Sequence, residues 1–99
     1  MITIVNIRQS TNKTYIYCGR GSALGNPFVM SNEAMRDEVC DRYEKYFYEQ
    51  INLKKNKDII KQLENIKLKA KRGDVDLGCF CTPKRCHCET IKRYVEQQI

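Results

Sequence analysis

The segment Cys79-Phe80-Cys81-Thr82-Pro83-Lys84-Arg85-Cys86-His87-Cys88 places four of the chain's six cysteines and its only histidine within ten residues. Thiol and imidazole are the side chains most easily made nucleophilic, basic or metal-binding near neutral pH. Three kinds of chemistry stay open. In an enzyme, a thiolate at Cys81 or Cys86 would attack or form an adduct while His87 moved the proton. In a zinc module, Cys79, Cys81, Cys86 and His87 would be the four ligands of a tetrahedral site. The spacing departs from the usual C-x2-C pairs, and adjacent Cys86 and His87 would diverge by about 100° on a helix. The expectation is therefore a chain that folds without a metal or other cofactor. In a non-catalytic binding protein the same residues would be core and turn. Cys79 and Arg85 also have the spacing of cysteine phosphatases, but the residues between them are not the small ones such a phosphate cradle needs.

A second chemistry-bearing stretch is Gly19-Arg20-Gly21-Ser22-Ala23-Leu24-Gly25-Asn26-Pro27-Phe28. Gly19, Gly21 and Gly25 allow close backbone approach, Arg20 can pair with an anion bidentately, and Asn26 offers both a donor and an acceptor. With Ser22 these are the candidate substrate-binding residues, for a phosphate or a carbonyl.

The elements around the two segments predict how they are held. Ile2 to Ile7 is β-branched and reads as a buried strand; Thr14 to Cys18 alternates as a second, after a turn at Asn12-Lys13. A helix starts near Ser31 or Asn32, with Met35, Val39, Tyr43, Phe47 and Ile51 on one apolar stripe. After a break from Asn52 to Asn56, a second helix carries Ile59, Leu63, Ile66 and Ala70 on one side and ends at Gly73-Asp74. Val75 to Cys81 reads as a buried strand, parallel to Ile2 to Ile7 through the helical crossover. Thr82 is a good N-cap and Pro83 a good first helical residue, which would put Cys86 and His87 in the first turns of a last helix carrying Ile91 and Val95 inward. The sum is one small α/β domain over residues 1–99, with a short, mainly parallel sheet flanked by three helices. In such sheets ligands gather at the carboxyl ends of the strands, where the Cys/His segment lies. The two motifs are expected to meet there.

Two blocks of this sequence together resemble a known family. The first is Val5-Asn6-Ile7-Arg8 with the loop from Gly19 to Phe28; the second is Leu77-Gly78-Cys79-Phe80-Cys81-Thr82-Pro83-Lys84-Arg85-Cys86-His87. They resemble domain-of-unknown-function family 4326, short phage and bacterial proteins with a G-R-x-S-x-x-G-N-P-F loop and a later L-x-C-x-C-x-P-x-x-C-H segment. The resemblance falls on Gly19, Arg20, Ser22, Gly25, Asn26, Pro27, Phe28, Cys79, Cys81, Pro83, Cys86 and His87. It implies an intracellular α/β domain, often phage-encoded, and supplies no activity. Cys88 stands where the family usually has glycine, and the lysine-rich stretch before the last strand is an insertion.

Charge and composition narrow the partners. The net charge of +6 is concentrated in Lys54 to Arg72, where eight basic residues face two acidic ones. A solvated helix face explains such a run; attraction to nucleic acid through Lys54, Lys55, Lys57 and Lys61 is the sharper reading. The run has no aromatic for base stacking. A host protein is the other partner such a face would suit. Charged residues at 30% and apolar ones at 41% describe an ordinary globular composition, and no apolar run reaches the ~20 residues of a membrane span. The N-terminus does not read as a signal peptide. A cytoplasmic setting is expected, the host's if the chain is phage-encoded, with free thiols or metal ligands rather than disulfides. Cys18 and Cys40 read as small buried hydrophobes.

Overall fold

The computed structural model describes residues 1–9 and 14–99, so the turn expected at Asn12-Lys13 lies outside the described residues. The sheet has three strands, β1 (Ile2–Asn6), β2 (Ile16–Tyr17) and β3 (Val75–Cys79), in the order β1-β3-β2. Both outer strands run parallel to β3, with Ile2 opposite Val75 and Ile16 opposite Leu77. The late strand is thus the middle one. It carries the apolar run that a parallel strand covered on both faces needs, and Val75, Leu77, Gly78 and Cys79 are buried. At Gly78 a methyl group would come within 2.5 Å of the Tyr15 ring and 2.7 Å of the Ile7 side chain, so only hydrogen fits between the two flanks.

The helices are a short 3-10 turn (Glu33–Met35) leading into α1 (Arg36–Asn52), then α2 (Lys57–Arg72) and α3 (Cys88–Gln98). The expected stripe on α1 buries Val39, Tyr43, Phe47 and Ile51. On α2 the buried residues are Ile59, Leu63 and Ile66. Asn56 caps α2, its side-chain oxygen accepting from the backbone N–H of Asp58 and Ile59. Helix α3 packs on β1 and on α2, and α2 in turn touches β3 and α1. This is the small α/β architecture expected, with three helices about a short parallel sheet.

Strand β1 ends at Asn6 rather than Ile7, and α1 begins at Arg36 behind the 3-10 turn with no side-chain cap from Asn32; three further boundaries differ, each with a local cause. Strand pairing at β2 covers only Ile16 and Tyr17, because the chain turns at Gly19, whose carbonyl accepts from Ser22 N–H. Strand β3 stops at Cys79 rather than Cys81. The Asn6 side-chain amide donates to the carbonyls of Phe80 and Thr82, taking the next backbone groups out of the ladder. Helix α3 starts at Cys88 rather than after Thr82-Pro83, so Cys86 and His87 precede the helix instead of lying in its first turns. Residues Cys81 to Lys84 form a turn closed by Lys84 N–H on the Cys81 carbonyl at 2.9 Å, with a cis Thr82–Pro83 bond inside it. The helix is instead begun by Glu89, whose carboxylate accepts from Cys86 N–H at 2.9 Å.

Candidate functional site

The glycine loop folds on itself before it meets anything else. Ser22 Oγ donates to the Gly19 carbonyl at 2.6 Å, and Gly25 N–H to the Ser22 carbonyl at 3.0 Å. A methyl group at Gly25 would lie 2.5 Å from the Gly19 carbonyl oxygen, so the closure demands glycine there. Asn26 Oδ1 accepts from Phe28 N–H at 2.9 Å, and the Arg20 guanidinium donates to the Phe28 carbonyl at 3.0 Å. The loop is tied to the core through Tyr43 of α1, whose buried hydroxyl donates to the Leu24 carbonyl at 2.7 Å.

The second segment reaches the same place. His87 Nε2 bonds the carbonyl of Cys18, one residue before the loop. A carbonyl only accepts, so Nε2 carries the proton. Burial lowers the imidazole pKa, which leaves the ring neutral and Nδ1 with a lone pair 3.5 Å from Cys86 Sγ. The Tyr43 ring meets the His87 ring edge-on at 4.9 Å.

Between the segments lies a cleft of about 290 Å³, lined by residues that include Gly19, Arg20, Asn26, Cys81, Cys86 and His87. Ser22 and Gly25 are not part of this wall; they line a shallower depression beside it, which Arg20 and Asn26 share. Lys54, Lys55, Lys57 and Lys61 border neither. All four are exposed, and among the described residues none of them enters an ion pair.

Arg36 is the wall residue that sequence reasoning passed over. Its guanidinium is paired with the Glu33 carboxylate at 2.9 Å, which above all raises its pKa, and the Cys81 sulfur beside it raises it further. It also donates to the Arg85 carbonyl at 3.0 Å, which pins the Cys/His segment to α1. Its signal was an oddity of position: a cation in the first turn opposes the helix dipole unless something else holds it. Arg36 first, and then Lys84, keep the Glu33 carboxylate ionised down to about 2. Arg85, the residue with phosphatase-like spacing, is turned to α1, donating to Asp37 at 3.1 Å and Asp41 at 2.8 Å.

The cysteines divide into groups that spacing did not separate. All six are free, and Cys81 alone is half-buried rather than buried. Cys79 and Cys86, which line the cleft, gather with the buried Cys88, their sulfurs within 4.8 Å of one another, a set that could hold a metal ion. The neighbouring thiols of Cys86 and then Cys88, with the backbone N–H groups of Thr82 and Cys81, pull the Cys79 pKa down. Cys79 first of all pushes Cys86 up, whereas Cys88 is pushed up by Cys18 first and then by Cys79 and Cys86. Cys18 touches this trio through Cys88. Cys40 lies apart on α1, with burial raising its pKa.

The chain matches the family described as a domain of unknown function (DUF4326) over residues 5–97, which is nearly all of it, and it belongs to that family. No curated protein and no solved structure matches it. No helix among the described residues is long and apolar enough to cross a membrane.

Proposed function

We propose that the protein takes a phosphate-bearing small molecule, of single-nucleotide size or less, into this cleft and acts on it through the Cys81 thiol. The observation that carries the reading is the meeting of Arg20 and Asn26 with Cys81 and Arg36 at the carboxyl edge of a parallel sheet. That edge is where α/β sheets collect ligands, and the volume sits at the small end of ligand pockets, ~300 Å³. Arg20 has one bond to Phe28 and further N–H donors for an anion. Phe28 and Tyr17 add aromatic wall. Cys81 is the most accessible thiol. Adding to an electrophilic carbonyl carbon, its sulfur forms the S–C bond, the carbonyl electron pair moves to oxygen, and the thiol proton ends on that oxygen. Arg36 stands beside the sulfur to steady the charge that develops. His87, closed between Cys18 and Cys86, has the role of fixing one wall against the other.

Native-state alkylation with iodoacetamide, read by mass spectrometry, tests this. Cys81 is expected to react fastest of the six, and inorganic phosphate or a nucleoside 5′-monophosphate to slow it; Arg20→Gln should remove the protection and leave the rate without ligand unchanged. Protection that is absent in the unaltered chain, or that survives Arg20→Gln, sinks the reading.

A second reading rests on a separate observation, the exposed lysines at Lys54, Lys55, Lys57 and Lys61 without acidic partners among the described residues. Such a face supports weak, sequence-tolerant contact with nucleic acid.

A further inference from the structure

We infer that Cys79, Cys86 and Cys88 form a thiolate site for a zinc-class divalent ion at the inner end of the cleft, with a ligand set that leaves out Cys81. The site comes from two elements whose ends converge. Cys79 closes β3, Cys88 opens α3, and Cys86 lies in the turn that delivers the chain to α3. The three sulfurs lie within 4.8 Å of one another. A zinc ion about 2.3 Å from each sulfur in a tetrahedral shell spaces them roughly 3.8 Å apart. The gap to close is at most about 1 Å for any pair.

Three further features suit an ion there. All three thiols are buried, so bound metal would be shielded from competing water ligands. Three thiolates on a divalent cation leave one net negative charge. The opening turn of α3, an eleven-residue helix, presents its positive dipole end at Cys88. Nearby groups can complete the shell: Cys18 touches Cys88, and the Nδ1 lone pair of His87 lies 3.5 Å from Cys86 Sγ. The Cys18 carbonyl holds the other imidazole nitrogen, the arrangement by which ligating histidines are usually oriented. The adjacency of Cys86 and His87 counted against zinc when both were placed on a helix. The structure brings in Cys88 instead of Cys81 and offers Cys18 as well as His87 for the fourth position, so the site does not depend on Cys86 and His87 ligating together.

The full-length chain, reduced and freed of metal, is titrated with cobalt(II) and then zinc(II), and binding is followed by the sulfur-to-cobalt charge-transfer absorption. One equivalent per chain is expected, with X-ray absorption at the zinc edge showing at least three sulfur neighbours. Cys79→Ser and Cys88→Ser should weaken binding by more than the ~100-fold that losing second-shell support costs, while Cys81→Ser and Cys40→Ser keep it. Circular dichroism of each apo variant separates a lost ligand from a lost fold. The zinc-edge spectrum of the unaltered chain gives the sulfur count even where a variant does not fold. Absence of the charge-transfer band, a shell of oxygen and nitrogen neighbours, or equal affinity in folded Cys88→Ser overturns the site. None of these readouts depends on what the cleft binds, so the site and the Cys81 reading fail separately.

Discussion

The cleft wall and the lysine-rich helix α2 are built by opposite means. The turns of the wall close locally and are then fixed in place by bonds from distant parts of the chain. Asn6 clamps Phe80 and Thr82, Tyr43 holds Leu24, His87 holds Cys18, and Arg36 holds Arg85. Helix α2 is locally sufficient. It has its own cap at Asn56, buries Ile59, Leu63 and Ile66, and leaves its charges in solvent. Long-range side-chain-to-backbone bonds fix positions, whereas an exposed row of like charges supplies a field that does not depend on fine placement. The first region is made for geometry and the second at most for attraction.

Tyr43→Phe tests the geometric side with the largest effect. It removes one hydroxyl and leaves the buried Leu24 carbonyl without its partner, so a loss of about 1–3 kcal/mol is expected in chemical denaturation. The loosened glycine loop should also weaken phosphate protection of Cys81 in the alkylation assay. A variant as stable as the parent with protection intact would show that the loop holds itself. On the other side, changing Lys54, Lys55, Lys57 and Lys61 together to glutamine should alter stability by less than about 1 kcal/mol, since exposed charges contribute little. The same change should flatten the salt dependence of any retention on single-stranded DNA. If it slows Cys81 alkylation instead, the two regions act as one.

The smallest effect expected is one of pH. Glu33 is bonded to Arg36 and Lys84, and its pKa falls from 4.5 to about 2 in the fold. A carboxylate lowered in this way contributes its stability in full above the unfolded value. That contribution fades as pH drops from about 4.5 towards 2. The 3-10 turn and the Cys81 to Lys84 turn should therefore loosen in this window, seen as a falling protection of the Lys84 amide relative to the unstructured rate at the same pH, and Glu33→Gln should abolish the change. Protection at Lys84 that stays constant across the window would mean that this ion pair does not hold the wall.

Much of the fold was legible because its signals are local. The four-residue repeat from Val39 to Ile51 and the β-branched run from Ile2 each reflect one element burying one face. The start of α3 was misread because Thr82-Pro83 is chemically suited both to open a helix and to sit in a turn. The Lys84 to Cys81 bond decided between them. Alternation along a strand puts Cys79 and Cys81 on one face, so their spacing grouped them; Asn6 ends the ladder at Cys79 and sends them apart. Arg36 was legible only as a polar helical position, because its partners Cys81 and Arg85 lie far along the chain.

The order β1-β3-β2 also bears on how the protein is made. Neither outer strand touches the other, so β1 and β2 leave the ribosome with no strand to pair with until Val75 to Cys79 follow. Helices α1 and α2 can form meanwhile from local contacts, but the sheet must wait for its middle. Nascent chains stalled before Val75 should therefore carry helix without sheet, with the cleft wall unmade. During that interval β1 and β2 present unpaired strand edges, and Cys18 and Cys40 are not yet covered by the finished core.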